Sequence, residues 1–511
     1  MKFNTSNTSI QKTVNHEGAT AYVVGPALRL YTAVVTTTLS DNFYEKDKER
    51  LTRIQQLVRE NKPEFVAKLA VYAREQMYLR LIPTVLTVEL ARVHSGDDLV
   101  SRTVARVVQR PDEITEMLAY YAWVNKREGN KKLSKISKQI QKGLAQAFNR
   151  FDAYQLAKYN RKTSVTLKDA LFLVHPKAKS DEQQGIFNQL VSDTLPTPYT
   201  WEVELSALGQ QSFANDIQKQ VAVRAKWEEL IDSNRLGYMA LLRNLRNILE
   251  AHVSYRHVMK IVENLADEQA VARSKQLPFR YLSAYNKLQS VTSTDTSIIL
   301  QALEIAVTKS IANLPGFDLE TKVLIACDVS GSMQKSTSPK SAVQYYDIGL
   351  LLGMLLQHRC QRVITGMFGD FWKIVNLPHG QILGNTDALR RHEGEVGYST
   401  NGYLVVQDLI NRREIVDKVM IFTDCQLWDS GNRIPYYNRT NNFSTYWHQY
   451  KKIAPNAKLY LFDLSGYGTA PVDVRNNDVH LIAGWSDKVF SMLDAIEKSG
   501  NSITEIEKIV L

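Results

Sequence analysis

The chain has 511 residues, 44% of them hydrophobic, and 63 Lys and Arg against 53 Asp and Glu give a net charge of +10. This is long enough for two or more domains with full cores, and the composition is ordinary for a soluble protein. No apolar span reaches transmembrane length, and the start MKFNTSNTSIQKTV is polar where a secretory signal needs an apolar core, so a cytoplasmic protein without a membrane segment is expected. The ten histidines form no HExxH and no GxxxxGKS/T loop occurs, which excludes a zincin helix and a P-loop ATPase module. Cys327, Cys360 and Cys425 form no CxxC pair and read as buried reduced thiols.

Composition changes near residue 315. Residues 1–315 hold 8 glycines and 43 Lys and Arg against 32 acids, a net of +11; residues 316–511 hold 16 glycines and 20 basic against 21 acidic residues, a net of −1. Two domains, 1–315 and 316–511, are expected, with the glycine-poor first part helical. From Gly25 to Leu314 apolar residues recur at steps of three and four, as in ERLTRIQQLVREN and YMALLRNLRNILEAH. Lys62-Pro63-Glu64 and Arg110-Pro111-Asp112-Glu113 mark helix starts, with proline and acids in the first turn. A dozen or more helices in about 290 residues are too many for one simple bundle, so stacked hairpins of HEAT-like type are expected.

Within this part, residues 126–179 carry 14 Lys and Arg, beginning with Lys126, Arg127, Lys131 and Lys132, against Glu128, Asp152 and Asp169, a net of +11. The segment KKLSKISKQIQKGLAQAF predicts one helix with Lys135, Lys138 and Lys142 on a single face. Lys158 and Lys162 follow one turn apart with Arg161 beside them, and His175 ends the apolar run DALFLV at a helix C-terminus, as a cap or as a cationic contact. A solvated face is the plain alternative. Against it stand the charge imbalance and the interleaved Phe148, Phe151, Tyr154, Tyr159 and Phe172, although rings at helical spacing also build cores. Cations gathered on one surface gain by releasing the counterions of a polyanion, and exposed rings stack on unpaired bases, so nucleic acid is the ligand expected here.

In the second part KVLIACDVSGSM is a buried-strand pattern ending in Asp328, Ser330 and Ser332 at alternate positions, with Gly331 permitting a tight turn. Three hard oxygens without sulfur or imidazole select Mg2+, Mn2+ or Ca2+ over zinc. An ordinary turn, with Asp328 or Ser330 as N-cap, is the alternative. Two later loops weigh against it: Tyr398-Ser-Thr400-Asn401-Gly402 precedes an apolar helical run, and DKVMIFT is a second buried strand ending in Asp424. This order resembles a von Willebrand factor A domain, an α/β doubly wound fold. The resemblance implies a metal-ion-dependent adhesion site of Asp328, Ser330, Ser332, Thr400 and Asp424, Thr400 matching best among Ser399 to Asn401. It implies an Mg2+ ion with one position left for an acidic side chain of a partner.

NHEGATAYVVGPALRLYTAVVTTTLSDNFYE, AKYNRKTSVTLKDALFLVHPK and the terminal A domain together resemble the TROVE module and partner domain of the Ro autoantigen family, in its bacterial form. Asn15-His-Glu-Gly18, Lys158 to Lys162, Lys168-Asp169 and His175-Pro176 carry the likeness, which departs at Val165-Thr166-Leu167. The resemblance implies a ring of HEAT-like repeats closed by the A domain. It implies Y-like small noncoding RNA bound outside through Lys158, Lys162 and His175, single-stranded RNA ends held in the hole, work beside an exoribonuclease, and noncoding RNA quality control. A monomeric RNA-binding scaffold, not an enzyme, is the expectation; a metal-dependent protein-interaction scaffold is its rival. Nuclease activity at the oxygen site would want a second carboxylate-rich metal cluster that the sequence does not offer.

Overall fold

A computed structural model describes residues 12–15, 19–37, 48–126, 136–311, 320–337, 341–427, 442–474, 478–485, 488–499 and 502–511. Two compact units emerge, each drawing on several stretches of chain: residues 1–37, 277–285 and 303–505 form one, and residues 38–276, 286–302 and 506–511 the other.

In the helical unit the proline-marked starts hold. Pro63 and Pro111 each occupy the first turn after Lys62 and Arg110 in extended conformation, opening helices Pro63–Glu75 and Pro111–Val124. A proline there has no amide to leave unpaired and its φ is already helical. Helix Pro63–Glu75 packs on Leu81–Val93 and on Leu99–Val107, Leu81–Val93 on Pro111–Val124, and Leu99–Val107 on Lys138–Phe148. Each helix thus meets its successor or the next but one, the connectivity of stacked hairpins. Where Lys138–Phe148 crosses Leu99–Val107 the backbones come close: a Cβ on Gly143 would stand 2.5 Å from Val104 Cβ.

The other unit is built on a six-stranded sheet. Its strands are β3 (Lys322–Asp328), β4 (Arg362–Phe368), β5 (Trp372–Ile374), β6 (Lys418–Thr423), β7 (Lys458–Asp463) and β9 (Val479–Ala483), in the order β5-β4-β3-β6-β7-β9, parallel except for β5. Strands buried on both faces read as continuous apolar runs, as KVLIACD and KVMIFT do. Helix Tyr345–Arg359 packs on β3 so closely that a Cβ on Gly353 would meet Cys327 Sγ at 2.9 Å. The chain leaves β3 toward β4 on one side and later returns to β6 on the other, so the carboxyl end of β3 is the topological switch point, where such sheets bind ligands.

The same unit holds the start of the chain. Strands β1 (Lys12–Val14) and β2 (Thr20–Val23) form a hairpin, and β2 pairs with β8 (Thr469–Ala470). Asn15 accepts a bond from Ala19 N at 2.9 Å and donates to Leu427 O at 2.7 Å, while Tyr31 of helix Pro26–Val35 donates to Ala483 O at 3.2 Å. Asn15, part of the stretch that carries the family likeness, therefore braces the backbone three residues after Asp424. His16, Glu17 and Gly18 lie outside the described residues.

Candidate functional site

The alternating oxygens of the α/β unit do converge. Asp328 is the last residue of β3; its Oδ1 accepts from Ser330 N at 2.9 Å and its Oδ2 from Thr423 Oγ1 at 2.6 Å. Ser330 precedes a short 3-10 turn, Gly331–Gln334, yet its hydroxyl caps nothing there and meets Ser332 Oγ at 3.2 Å. The capping alternative fails for Ser330. Gly331 N donates to Tyr398 O at 3.0 Å, which draws the second loop against the first. Thr400 is buried and its hydroxyl has no hydrogen-bond partner. Asp424, directly after β6, accepts from Gln426 N at 2.9 Å.

Burial, and then the neighbouring Asp424, push the Asp328 carboxyl above the usual carboxylate range. Two buried carboxylates, two serine hydroxyls and a buried threonine hydroxyl without a partner are a hard-oxygen set, and an unmatched buried hydroxyl has an energetic reason to seek a ligand. Among the described residues no group of three or more His, Cys, Asp or Glu is arranged to hold a metal. A cation here would rest on hydroxyls as much as on carboxylates. Thr423, which fixes the Asp328 carboxylate, escaped the sequence reading; its signal is a hydroxyl ending an otherwise apolar strand. All three cysteines are free and buried, as expected, and burial raises the thiols of Cys327, Cys360 and Cys425.

The basic region belongs to the helical unit. Its first helix spans Lys138–Phe148, starting after Ser137 rather than near Lys131, and Lys138 and Lys142 are both exposed one turn apart; Lys135 lies outside the described residues. Gln141 of this helix and Asn149, its C-cap, hold the segment around His175. Gln141 donates to Leu173 O and Val174 O at 3.2 and 3.3 Å, and Asn149 brackets the next turn, donating to Lys177 O and accepting from Lys179 N, both at 2.9 Å. His175 is the C-cap of helix Leu167–Val174, in the left-handed conformation and exposed. The caps of that helix come from the point of family departure: Thr166 bonds Asp169 reciprocally while Val165 and Leu167 are buried.

One expectation fails. Lys158 and Lys162 do not share a helix, because Ala153–Tyr159 ends at Asn160 with ψ 93°. Only Leu156 of that helix is buried, and the position one turn on is Asn160, so no apolar stripe remains to extend it. Lys158, Arg161 and Lys162 are all exposed nonetheless. The aromatics divide: Phe148 and Phe151 are core, Arg110 covers Tyr159 at 4.4 Å, and Tyr154 and Phe172 are 49% and 51% exposed.

Among the described residues of this region, Lys126, Lys138, Lys142, Arg150, Lys158, Arg161, Lys162, Lys177 and Lys179 are exposed and enter no ion pair, whereas Lys168 reaches Asp193 at 3.3 Å. A merely solvated face commonly scatters acids among its bases. Here Asp152 and Asp169 are the acids described, and both serve as helix caps.

A stack of helical hairpins and a doubly wound sheet with an oxygen-lined loop site at its switch point define a helical-repeat protein that carries a von Willebrand factor A-type domain. A model of the TROVE domain matches residues 27–195 and 193–297. The chain belongs to the TROVE-domain family. Telomerase protein component 1 of Mus musculus is 25% identical over 342 residues, 50% of this chain and 12% of that protein; the Rattus norvegicus counterpart is 25% identical over 305 residues, 44% of this chain and 11% of that protein. The chain therefore spans about an eighth or less of the length of these relatives. The crystal structure of the Deinococcus radiodurans RO (RSR) protein is similar with a TM-score of 0.59 at 16% identity, covering 92% of this chain and 100% of that one, a likeness of fold.

Proposed function

We propose that this chain is an RNA-binding component of a ribonucleoprotein, a scaffold without catalytic chemistry of its own. The observation that carries this reading is the set of exposed cations Lys138, Lys142, Lys158, Arg161, Lys162, Lys177 and Lys179, which enter no ion pair; Arg150, also exposed and outside any ion pair, is turned onto the carbonyls of Ala105 and Val108. Unpaired lysines leave their charge available for phosphates, and counterion release makes such binding favourable and strongly salt-dependent. Y-like small noncoding RNA on this face, single-stranded RNA ends in a ring hole, a role in noncoding RNA quality control beside an exoribonuclease, and a cytoplasmic monomer complete the proposal. Family membership supports the RNA part of it.

The test is a gel-shift titration of the wild type and the Lys158→Ala, Lys162→Ala, His175→Ala triple variant with a Y-like RNA. Loss of affinity in the variant is expected, and unchanged affinity sinks the assignment. A raised ratio of 260 to 280 nm absorbance in freshly purified protein is the quick first sign of bound RNA.

A second reading rests on the buried Thr400 hydroxyl without a partner. In it Asp328, Ser330, Ser332, Thr400 and Asp424 hold Mg2+, which supplies a positive centre for an acidic side chain of a protein partner. The two readings concern different units, and both hold if RNA binding survives Asp328→Ala while Mg2+ binding is lost. Isothermal titration with Mg2+ alone decides the metal; no heat above the Asp328→Ala background removes it.

A further inference from the structure

Tyr154 and Lys158 stand one turn apart on helix Ala153–Tyr159. The Tyr154 ring is 49% exposed, and the Lys158 ammonium lies 5.7 Å from its centroid and 5.8 Å from that of Tyr159. Tyr159 is also covered by Arg110 at 4.4 Å and is only half-buried, so the two rings differ: Tyr159 has two cations near it, while Tyr154 keeps more open surface. Phe172, on Leu167–Val174, is a ring with no polar atom and is 51% exposed in the same basic region. A tyrosine beside cations costs little in solubility, but half of it is left in water where folding could have covered it. Arg161 and Lys162 follow within three and four residues of Lys158, exposed and unpaired.

We propose that Tyr154, braced by Lys158, is a base-stacking platform that gives the basic face a preference for unpaired nucleotides over duplex. This rests on the RNA reading above and sharpens it. Phosphate contacts by lysine give no preference for a single strand over a duplex, since both present phosphates and the duplex presents them more densely. A ring is different: in a duplex the base faces are covered by their neighbours, and only an unpaired base offers a face to an exposed aromatic. Lys158 then serves twice, neutralising a phosphate and fixing the ring through its cation–π contact. A protein partner with acidic residues would use the lysines and leave the ring idle.

The test is fluorescence anisotropy of the full chain with a short labelled oligouridylate and with a blunt RNA duplex of equal length, poly-glutamate serving as the protein-like polyanion. Tyr154→Ala is expected to weaken oligouridylate binding about 5- to 160-fold, the range of one base–aromatic stack, and duplex binding less than about twofold. Tyr154→Phe, which keeps the ring, retains wild-type affinity. Lys158→Ala weakens both RNAs. Equal losses for the two RNAs with Tyr154→Ala, or no loss for oligouridylate while Lys158→Ala weakens it, overturns the platform and leaves the RNA reading standing. Binding of wild type to poly-glutamate but to neither RNA overturns both. Circular dichroism of each variant checks that the helix content is intact.

Discussion

Two neighbouring parts of the helical unit use the same charges in opposite ways. Between residues 63 and 124 the arginines are bound to acids: Arg74 to Glu113 at 2.8 Å, Arg80 to Asp112 at 3.0 Å and Glu116 at 3.3 Å, Arg92 to Glu89 at 2.6 Å, Arg110 to Asp112 at 2.6 Å. Arg74 also donates to Val107 O at 3.0 Å, closing the end of helix Leu99–Val107. Between residues 138 and 179 the cations are mostly lysines, exposed and without acid partners. A planar guanidinium holds several acceptors in fixed geometry and suits an interior joint, while a mobile ammonium in water suits a surface that must meet varied phosphates. The number of basic residues is thus a poor measure of binding capacity. How many lack a partner is the better one.

The sharpest way to break this contrast is to remove an interior arginine. Arg74→Ala leaves Glu113, which is fully buried, with Arg80 Nε at 3.6 Å and the amides of Gln109 and Arg110. A destabilisation of about 3 kcal/mol is expected, the lower part of the range for breaking a buried pair. Native-state hydrogen exchange across residues 63–124 should show it, with RNA affinity per folded molecule unchanged. Loss of RNA affinity beyond the loss of folded protein would mean that the two regions are not distinct.

The reverse substitution follows. The Lys158, Lys162 and His175 triple alanine variant should lose about 10-fold or more in Y-like RNA affinity with hydrogen exchange unaltered. Its log–log salt slope should shrink by up to about 2 to 3, at roughly 0.7 to 0.9 for each lost phosphate contact. An unchanged slope would show that these side chains do not meet phosphates.

In the α/β unit, Thr400→Val swaps the unpartnered hydroxyl for a methyl of similar size. It should abolish or strongly reduce an Mg2+-induced rise in melting temperature while slightly stabilising the protein without the ion, because a buried orphan is removed. An Mg2+ shift equal to that of the wild type excludes Thr400 as a ligand.

The smallest effect concerns pH. Burial is the main reason that Glu116 is pushed up from 4.5 to about 7, partly offset by Arg80. Its folded form holds a proton that the unfolded chain has already released between those values, so the contribution of Glu116 to stability falls as pH rises from about 4.5 to about 7. Glu116→Gln should flatten that slope, read by hydrogen exchange or urea melts at pH values across this window. A slope unchanged by the substitution assigns the pH dependence elsewhere.

Much of this was open to sequence reading because it is local. Proline and acids at Pro63 and Pro111 mark helix starts by backbone geometry alone, and both starts are where expected. An apolar run that ends in Asp328-Val-Ser330-Gly-Ser332 marks both a buried strand and a polar loop at its end, where the Ser330 and Ser332 hydroxyls meet at 3.2 Å. The fate of Lys162 was not legible, since whether a short helix continues past Tyr159 depends on what its next turn could bury. Nor was the division of the rings, because Phe148 and Tyr154 sit in similar sequence surroundings and only packing of neighbouring helices covers the first.

The sequence by itself determined the two kinds of architecture, the position of the oxygen-bearing loop and the concentration of positive charge, all of which follow from periodicity, turn chemistry and composition over a few residues. Tertiary structure decided which cations find acids, which hydroxyl is stranded in the interior, and that strands β1 and β2 belong with the α/β unit through the pairing of β2 with β8. Those outcomes depend on residues hundreds of positions apart, as with Tyr22 opposite Ala470, and no local pattern carries the partner of a group whose partner is distant in the chain.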